Sequence, residues 1–339
     1  MNFLRKILFP FAVLYGWIAQ FRNFLYDYGI LKSYTFDVPT IVVGNLTVGG
    51  TGKTPMIEYL IRLLSQDYTV ATLSRGYKRH SKGFVIADLD ATPQSLGDEP
   101  FQMHRKFPNI NVAVDANRKN GIEQLLSLKE KPQVILLDDA FQHRKVKAGF
   151  YILLTAYNDL YCNDWILPTG NLRESHSGAH RANMIIVTKC PDTISEIAQD
   201  KIRKQLKAKQ PVFFSTIAYD ESVYSENESK KVAELKGVAK LLIAGIAKPE
   251  PFFAYLHESN DTILTYSDHH DFSENDIQTI KKLTKNKIII TTEKDYVRLK
   301  DRLNSESLFY LPIKTALVSQ GSMFDSILLN YVGTSTRNG

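Results

Sequence analysis

From Val38 onward, short apolar runs alternate with longer segments of helical periodicity. Thr40–Val43, Thr69–Leu73, Asn111–Val114, Val134–Leu137, Tyr151–Leu154 and Met184–Val187 each read as a short strand that is apolar nearly throughout. Such strands are covered on both faces, so the pattern predicts a mainly parallel sheet with helices on either side. Pro55–Leu64 reads as a covering helix, and a loop-rich stretch runs to about Pro100. Val212–Ile217 predicts one more strand.

A polar stretch from Tyr219 to Lys231 follows, with Asp220, Glu221, Glu226 and Glu228, and marks a domain linker or an exposed turn. The alternation then restarts. Ala239–Ala244, Thr262–Tyr266 and Lys287–Thr291 read as strands, and Pro251–His257 and Glu274–Leu283 as helices. Leu308–Ile313 and the amphipathic segment Gly321–Tyr331 close the chain. The expected fold class is α/β: a parallel-sheet domain over 37–218, a smaller α/β domain over 219–306, and a last strand and helix over 307–339.

Residues 1–36 follow another pattern. Arg5 and Lys6 precede an apolar run from Ile7 to Ala19, and Arg22 and Lys32 follow it. The run is short of the ~20 apolar residues that span a bilayer, and no small-residue cleavage site follows it. Trp17, Phe21, Phe24 and Tyr28 continue the apolar character. The segment reads as an interfacial amphipathic helix on a membrane surface. A helix docked on the protein's own core fits the same pattern.

The most informative chemistry lies between the first strand and the first helix. Gly44 to Thr54 reads GNLTVGGTGKT. Gly49, Gly50 and Gly52 let the backbone turn its N–H groups toward one anion, and Thr51 lies between them. Lys53 is placed to reach the β/γ-phosphates, and the Thr54 hydroxyl to bind Mg²⁺. Thr47 occupies the place of the usual first glycine, so the loop resembles the deviant class built on paired glycines. The implied cofactors are ATP and Mg²⁺.

Carboxylates complete the picture. Asp138 and Asp139 end an apolar strand, where a Mg²⁺-holding Asp belongs in a P-loop enzyme. Asp98, in Gly97-Asp98-Glu99-Pro100, offers a base for a hydroxyl acceptor; by residue type alone it reads as a solvated loop acid. Arg75, Arg118 and Arg173 sit in turn-rich stretches, where arginines clamp phosphates or simply carry surface charge.

Composition narrows the alternatives. The net charge is +6, with 44% hydrophobic and 23% charged residues, as in a globular chain. A basic balance suits anionic lipid, acidic small molecules or nucleic acid. No zinc finger, RNA-reading strand or basic arm supports nucleic acid. The two cysteines, Cys162 and Cys190, lie far apart and provide no metal-binding cluster. A metal-handling P-loop switch is disfavoured on that ground. A soluble small-molecule kinase or ligase would not need the aromatic N-terminal segment.

Together these segments resemble the tetraacyldisaccharide 4′-kinase family. The resemblance is carried by Val42–Pro55, LSRGYKR (Leu73–Arg79), GDEP (Gly97–Pro100), VDANR (Val114–Arg118), DDAFQH (Asp138–His143), LPTGNLRE (Leu167–Glu174), AGIAKPEPFF (Ala244–Phe253), DHHDF (Asp268–Phe272) and TTEKDYVRL (Thr291–Leu299). Ala140, Asn171 and Ala247 depart from the family's usual residues. The resemblance implies transfer of the ATP γ-phosphate to the 4′-hydroxyl of a tetraacylated glucosamine disaccharide 1-phosphate. It implies two domains joined by a two-stranded hinge, Asp98 as general base with His269 as its partner, and Asp138, Asp139 and Glu174 near the metal. It further implies Arg75, Arg118 and Arg173 as phosphate contacts, and Asn45, Gln142 and His143 on the substrate side. The implied partners are the glycolipid and a membrane surface, with the protein peripheral on the cytoplasmic face of the inner membrane. No obligate protein partner is inferred.

Overall fold

The computed structural model describes Arg5 and residues 7–268, 270–284, 287–304 and 306–337. The chain forms two compact units, Met1–Ile217 with Thr315–Gly339, and Ala218–Lys314.

The first unit opens with a helix, Phe9–Asp27, and is then built on a sheet. Its strands are β1 (Thr40–Asn45), β2 (Val70–Ser74), β3 (Val85–Ile86), β4 (Asn111–Val114), β5 (Val134–Asp138), β6 (Phe150–Ala156), β7 (Met184–Thr188) and β8 (Val212–Tyr219), with β15 (Ile313–Leu317) returning late in the chain. Their order is β15-β8-β7-β6-β1-β5-β2-β4-β3. From β8 to β4 every neighbouring pair is parallel, and β3 runs antiparallel to β4. The chain passes between the units twice, within β8 and within β15, which are neighbours in the sheet.

The near-continuous apolar strands are explained by two cores, one per face. Successive side chains point to opposite faces. Val42, Leu73, Ile135, Leu137 and Leu153 build one core. Ile41, Val43, Leu136, Ile152 and Ile186 build the other, with Met56, Leu60 and Leu64 of the helix Lys53–Leu64. Phe324, Leu328 and Val332 of the closing helix, Gly321–Arg337, pack into this second core.

The strand order fixes where chemistry belongs. Leaving β1, the chain builds β2, β4 and β5 on one side, then crosses to β6 and β7 on the other. The carboxyl end of β1 is therefore a switch point, where open parallel sheets hold their ligands. Because these strands are parallel, Asn45, Asp138, Ala156 and Thr188 all end at the same sheet edge.

The second unit has its own six-stranded sheet, in which β12 (Thr262–Thr265), β11 (Lys240–Ala244), β13 (Ile288–Thr292) and β14 (Leu308–Leu311) run parallel in that order. The polar stretch expected as a linker or exposed turn is the hairpin β9 (Ser222–Tyr224) and β10 (Ser229–Lys231), antiparallel to each other. Its turn is tied by Ser225, whose amide donates to the Glu228 carbonyl at 2.8 Å. Buried Val223 anchors the hairpin in a core with Leu242, Phe252 and Phe309.

Candidate active site

The loop after β1 has the geometry its glycines predict. Gly49 and Gly52 have φ of 118° and 83°, a region that costs any side chain with a Cβ. Gly52 then caps the helix that Lys53 and Thr54 begin. Two residues from β7's end brace the loop. Thr188 Oγ1 donates to the Thr51 carbonyl at 2.8 Å, and Lys189 Nζ to the Gly50 carbonyl at 2.5 Å. Lys53 Nζ lies 3.4 Å from Asn45 Oδ1 and 3.6 Å from Asp139 Oδ1.

Gly44 sets the packing behind the loop. A Cβ there would fall 2.6 Å from Phe141 Cβ, so only glycine admits the 138–143 segment this close to β1. Within that segment Asp138 ends β5, and Asp139 takes φ of 48°. Arg173 Nη1 donates to both Asp139 oxygens, at 3.0 and 2.9 Å. Asp139 is thus held between two cations, Lys53 and Arg173.

Asp138 has the opposite situation. Its Oδ1 is sealed from solvent and unpartnered. Burial, then the charge of Glu99, then that of Asp139 push its carboxyl up to about 7, against Lys53 and Arg118. The charge of Glu99, in the turn Gly97–Pro100, thus bears on Asp138. Asp98 is exposed and begins the helix Asp98–Lys106. Gly97, at φ 93°, lies so close to Tyr77 that a Cβ would be 2.9 Å from its carbonyl, which seats the exposed Arg75 loop against this turn.

The sign of the Asp138 shift gives a prediction. Its folded value lies above the ordinary carboxylate value, so the native state holds the extra proton between the two. Stability from this group is present at low pH and is lost as pH rises toward 7. Asp138→Asn is expected to stabilise the protein at pH 8 by on the order of 2 kcal/mol, and by much less at pH 5. Urea midpoints at the two pH values measure it; equal gains at both would contradict the assigned shift.

Other expected residues hold the site together. Arg118 is buried and donates to the carbonyls of Asp115 at 2.7 Å and Asp138 at 3.3 Å, leaving Nε unpartnered. Burial lowers its value to about 10. His143 Nε2 lies 3.2 Å from the Ala116 carbonyl, and burial with the Arg118 charge holds the ring below its usual range. Gln142 Nε2 donates to the Asn45 carbonyl at 2.8 Å and to Glu174 at 3.0 Å, so its amide nitrogen is engaged by protein rather than substrate. His269 lies outside the described residues.

Glu174 is engaged by protein side chains. The family resemblance implied a place near the metal. Its carboxylate is fully buried and accepts from Arg181 at 2.7 and 2.9 Å, from Gln142, and from Asn23 Nδ2 at 2.9 Å. A carboxylate taking four hydrogen bonds from three side chains, one of them cationic, braces protein segments and offers little to an ion.

The residues nonetheless fit a phosphate–metal ligand. Asn45 Nδ2, Thr51 Oγ1 and Asp138 Oδ1 are buried without partners at one end of the sheet, and such orphans mark missing ligands. Among the described residues no three His, Cys, Asp or Glu side chains group to hold a metal by themselves.

Sequence reasoning missed Thr188, Lys189, Arg181 and Asn23. The only sequence signal for Lys189 was its place after a buried strand, Met184–Thr188, that ends at the loop's edge of the sheet.

Comparison with known proteins agrees with this geometry. The family described as tetraacyldisaccharide-1-P 4′-kinase matches residues 4–332. A tetraacyldisaccharide 4′-kinase of Flavobacterium psychrophilum is 65% identical, covering 100% of both chains. The one from Bacteroides thetaiotaomicron is 47% identical over 99% of this chain and 95% of its own. Among solved structures, LpxK from Aquifex aeolicus in complex with ATP superposes with a TM-score of 0.79 at 32% identity, covering 97% of this chain and 99% of that one. With its P-loop, its strand-end carboxylates and matches over nearly its whole length, the chain belongs to the tetraacyldisaccharide 4′-kinase family.

Proposed function

We propose that ATP binds on the loop Gly49–Thr54 and that its γ-phosphate passes there to the 4′-hydroxyl of a tetraacyldisaccharide 1-phosphate, a step of lipid A biosynthesis. The observation that carries this is the set of unpartnered buried polar atoms, Asn45 Nδ2, Thr51 Oγ1 and Asp138 Oδ1, beside a glycine loop at the sheet's switch point.

The loop's backbone N–H groups and the start of the following helix hold the phosphates. Lys53 and Arg173, now sharing Asp139, supply the positive charge that the transferring group needs. Thr54, Asp138 and Asp139 would hold Mg²⁺, which when bound shields the phosphate charge. Arg75, exposed beside the Asp98 turn, is a phosphate contact for either substrate. Asp98 accepts the proton of the acceptor hydroxyl. The three acceptor conditions separate the readings: ADP release should stay near background with no acceptor or a water-soluble sugar and rise with detergent-dispersed glycolipid. Equal release in all three would contradict it.

The acceptor's acyl chains call for a lipid-facing surface, and the N-terminal helix supplies one. Only Ala12 and Gly16 of Phe9–Asp27 are buried. Trp17 is 72% exposed, and Phe11, Ile18 and Phe21 more than 60%. Trp165, stacked edge-on against Phe9, widens the patch. No helix among the described residues is long and apolar enough to cross a membrane. The helix is taken to lie in the interface on the cytoplasmic face of the inner membrane; Lys6, expected near the headgroups, lies outside the described residues. Replacing Trp17 and Phe21 together by Ser is expected to weaken co-sedimentation with anionic vesicles tenfold or more, since each buried aromatic is worth ~1.5–3 kcal/mol. KM for micellar acceptor should rise and ATP affinity hold. Undiminished co-sedimentation would place the anchor elsewhere.

A further inference from the structure

The hydrogen bonds of the N-terminal helix end, among the described residues, on two segments that also build the active site. Tyr15 donates to the Arg173 carbonyl at 3.0 Å. Arg22 reaches the Gln142 carbonyl at 3.4 Å. Arg144 donates to the Asn23 carbonyl at 2.9 Å and pairs with Asp27 at 2.6 Å. Asn23 Nδ2 donates to Glu174 Oε2 at 2.9 Å, inside the protein. Only Ala12 and Gly16 of the helix are buried, so these polar links contribute to where it sits.

From Asn23 the contacts continue without a gap to the reacting centre. Glu174 receives Asn23 on Oε2 and Gln142 on Oε1, with Arg181 on both. The same Gln142 amide donates to the Asn45 carbonyl, and the Asn45 side chain meets Lys53. On the other side, Glu174 follows Arg173, which grips both oxygens of Asp139. The chain from helix to P-loop lysine is thus Asn23, Glu174, Gln142, Asn45, Lys53.

The geometry points to Asn23 as a positioning residue for phosphoryl transfer, acting through Glu174 and Gln142 on Asn45, Lys53 and the Arg173–Asp139 pair. This rests on the proposed reading of the P-loop as the site of transfer. Removing the Asn23 amide strips one donor from a buried carboxylate whose other donors are shared with the site. Glu174 then draws on Gln142 and Arg181 alone, and Gln142 shifts against Asn45. Small misplacements of a reacting centre are costly in rate, while the phosphate-binding loop itself is held independently by Thr188 and Lys189. The lipid-facing helix is in this way wired to the chemistry: the element that meets the membrane also sets the geometry of the catalytic charges.

The test is Asn23→Leu, which keeps side-chain size, favours the helix more than Asn does, and removes the amide. Kinase kcat, KM for micellar glycolipid, ATP affinity, vesicle co-sedimentation and Tm are measured beside the parent and the Trp17→Ser/Phe21→Ser protein. Mutations along a contact network shift coupling enough to change kcat by roughly 2- to 30-fold. Asn23→Leu should lose kcat in that range, with ATP affinity and vesicle binding at the parental level. The aromatic double variant should show the reverse split, and Asn23→Leu combined with Glu174→Gln should lose less than the product of the single losses. A parental kcat in Asn23→Leu overturns the inference, as does a loss matched by a smaller fraction of protein able to bind ATP. If Asn23→Leu does not fold, Asn23→Ser, too short to reach Glu174, takes its place with the same expected split. A parent protein that phosphorylates no glycolipid would instead refute the P-loop reading itself.

Discussion

Lys53→Ala is expected to leave a folded protein that has lost turnover. Lys53 begins its helix, and among the described residues its amine makes two long contacts, at 3.4 Å to Asn45 and 3.6 Å to Asp139. Neither is short enough to hold the fold. The core beneath it, Met56, Ile57, Leu60, Ile61 and Leu64, is formed by the helix's buried face and stays intact. What is lost is a charge aimed at the transferring phosphate. Removing one such preorganised group typically costs about 10²–10³-fold in kcat. Tm should move little, and ATP affinity should fall modestly, because the loop N–H groups remain. Kinetics with saturating glycolipid measures the effect. Undiminished turnover would remove Lys53 from the chemistry.

Asp98→Ala is expected to have a comparable or larger effect with a different signature. A sugar hydroxyl holds its proton far above neutral pH, so that proton must leave as the bond to phosphorus forms. General-base help is worth about 10²–10⁴-fold. Asp98 is exposed at the first turn of its helix, free to meet an incoming acceptor, while its neighbour Glu99 bears electrostatically on Asp138. The turn is fixed from behind by the close approach of Gly97 to Tyr77. The substitution should therefore cut kcat by roughly the general-base factor and leave ATP affinity nearly unchanged. If it instead weakens ATP or Mg²⁺ binding with kcat intact, Asp98 belongs to the nucleotide side. The base would then be sought at Asp138 or Asp139.

Much of this was legible in the sequence, for physical reasons. Strands covered on both faces must be apolar on both faces, so Val134–Leu137 and Met184–Val187 announced a parallel sheet by themselves. The glycine loop was legible because few sequences need three glycines before Lys-Thr. The polar stretch from Tyr219 to Lys231 did not announce its hairpin, because its strands are three residues each and, of the residues in those strands, only Val223 is buried. Glu174 carried no sign of its burial. Its donors Asn23, Gln142 and Arg181 come from three separate segments, and no local pattern predicts such a meeting. Lys189 escaped for the same reason: its partner Gly50 is 139 positions away. Local chemistry reads from the chain, but a charge's assignment to metal, substrate or protein depends on long-range neighbours.

The central claim is that the P-loop of the first unit delivers the ATP γ-phosphate to the 4′-hydroxyl of the lipid disaccharide. Its most direct test follows the label. Protein is incubated with γ-³²P-ATP, Mg²⁺ and tetraacyldisaccharide 1-phosphate, and the position of new phosphate on the lipid is determined by mass spectrometry and ³¹P NMR. The account predicts label at the 4′-oxygen, one per ADP formed, appearing about 10²–10³-fold more slowly in the Lys53→Ala protein. ADP formed without labelled lipid, or label at another oxygen, would contradict it.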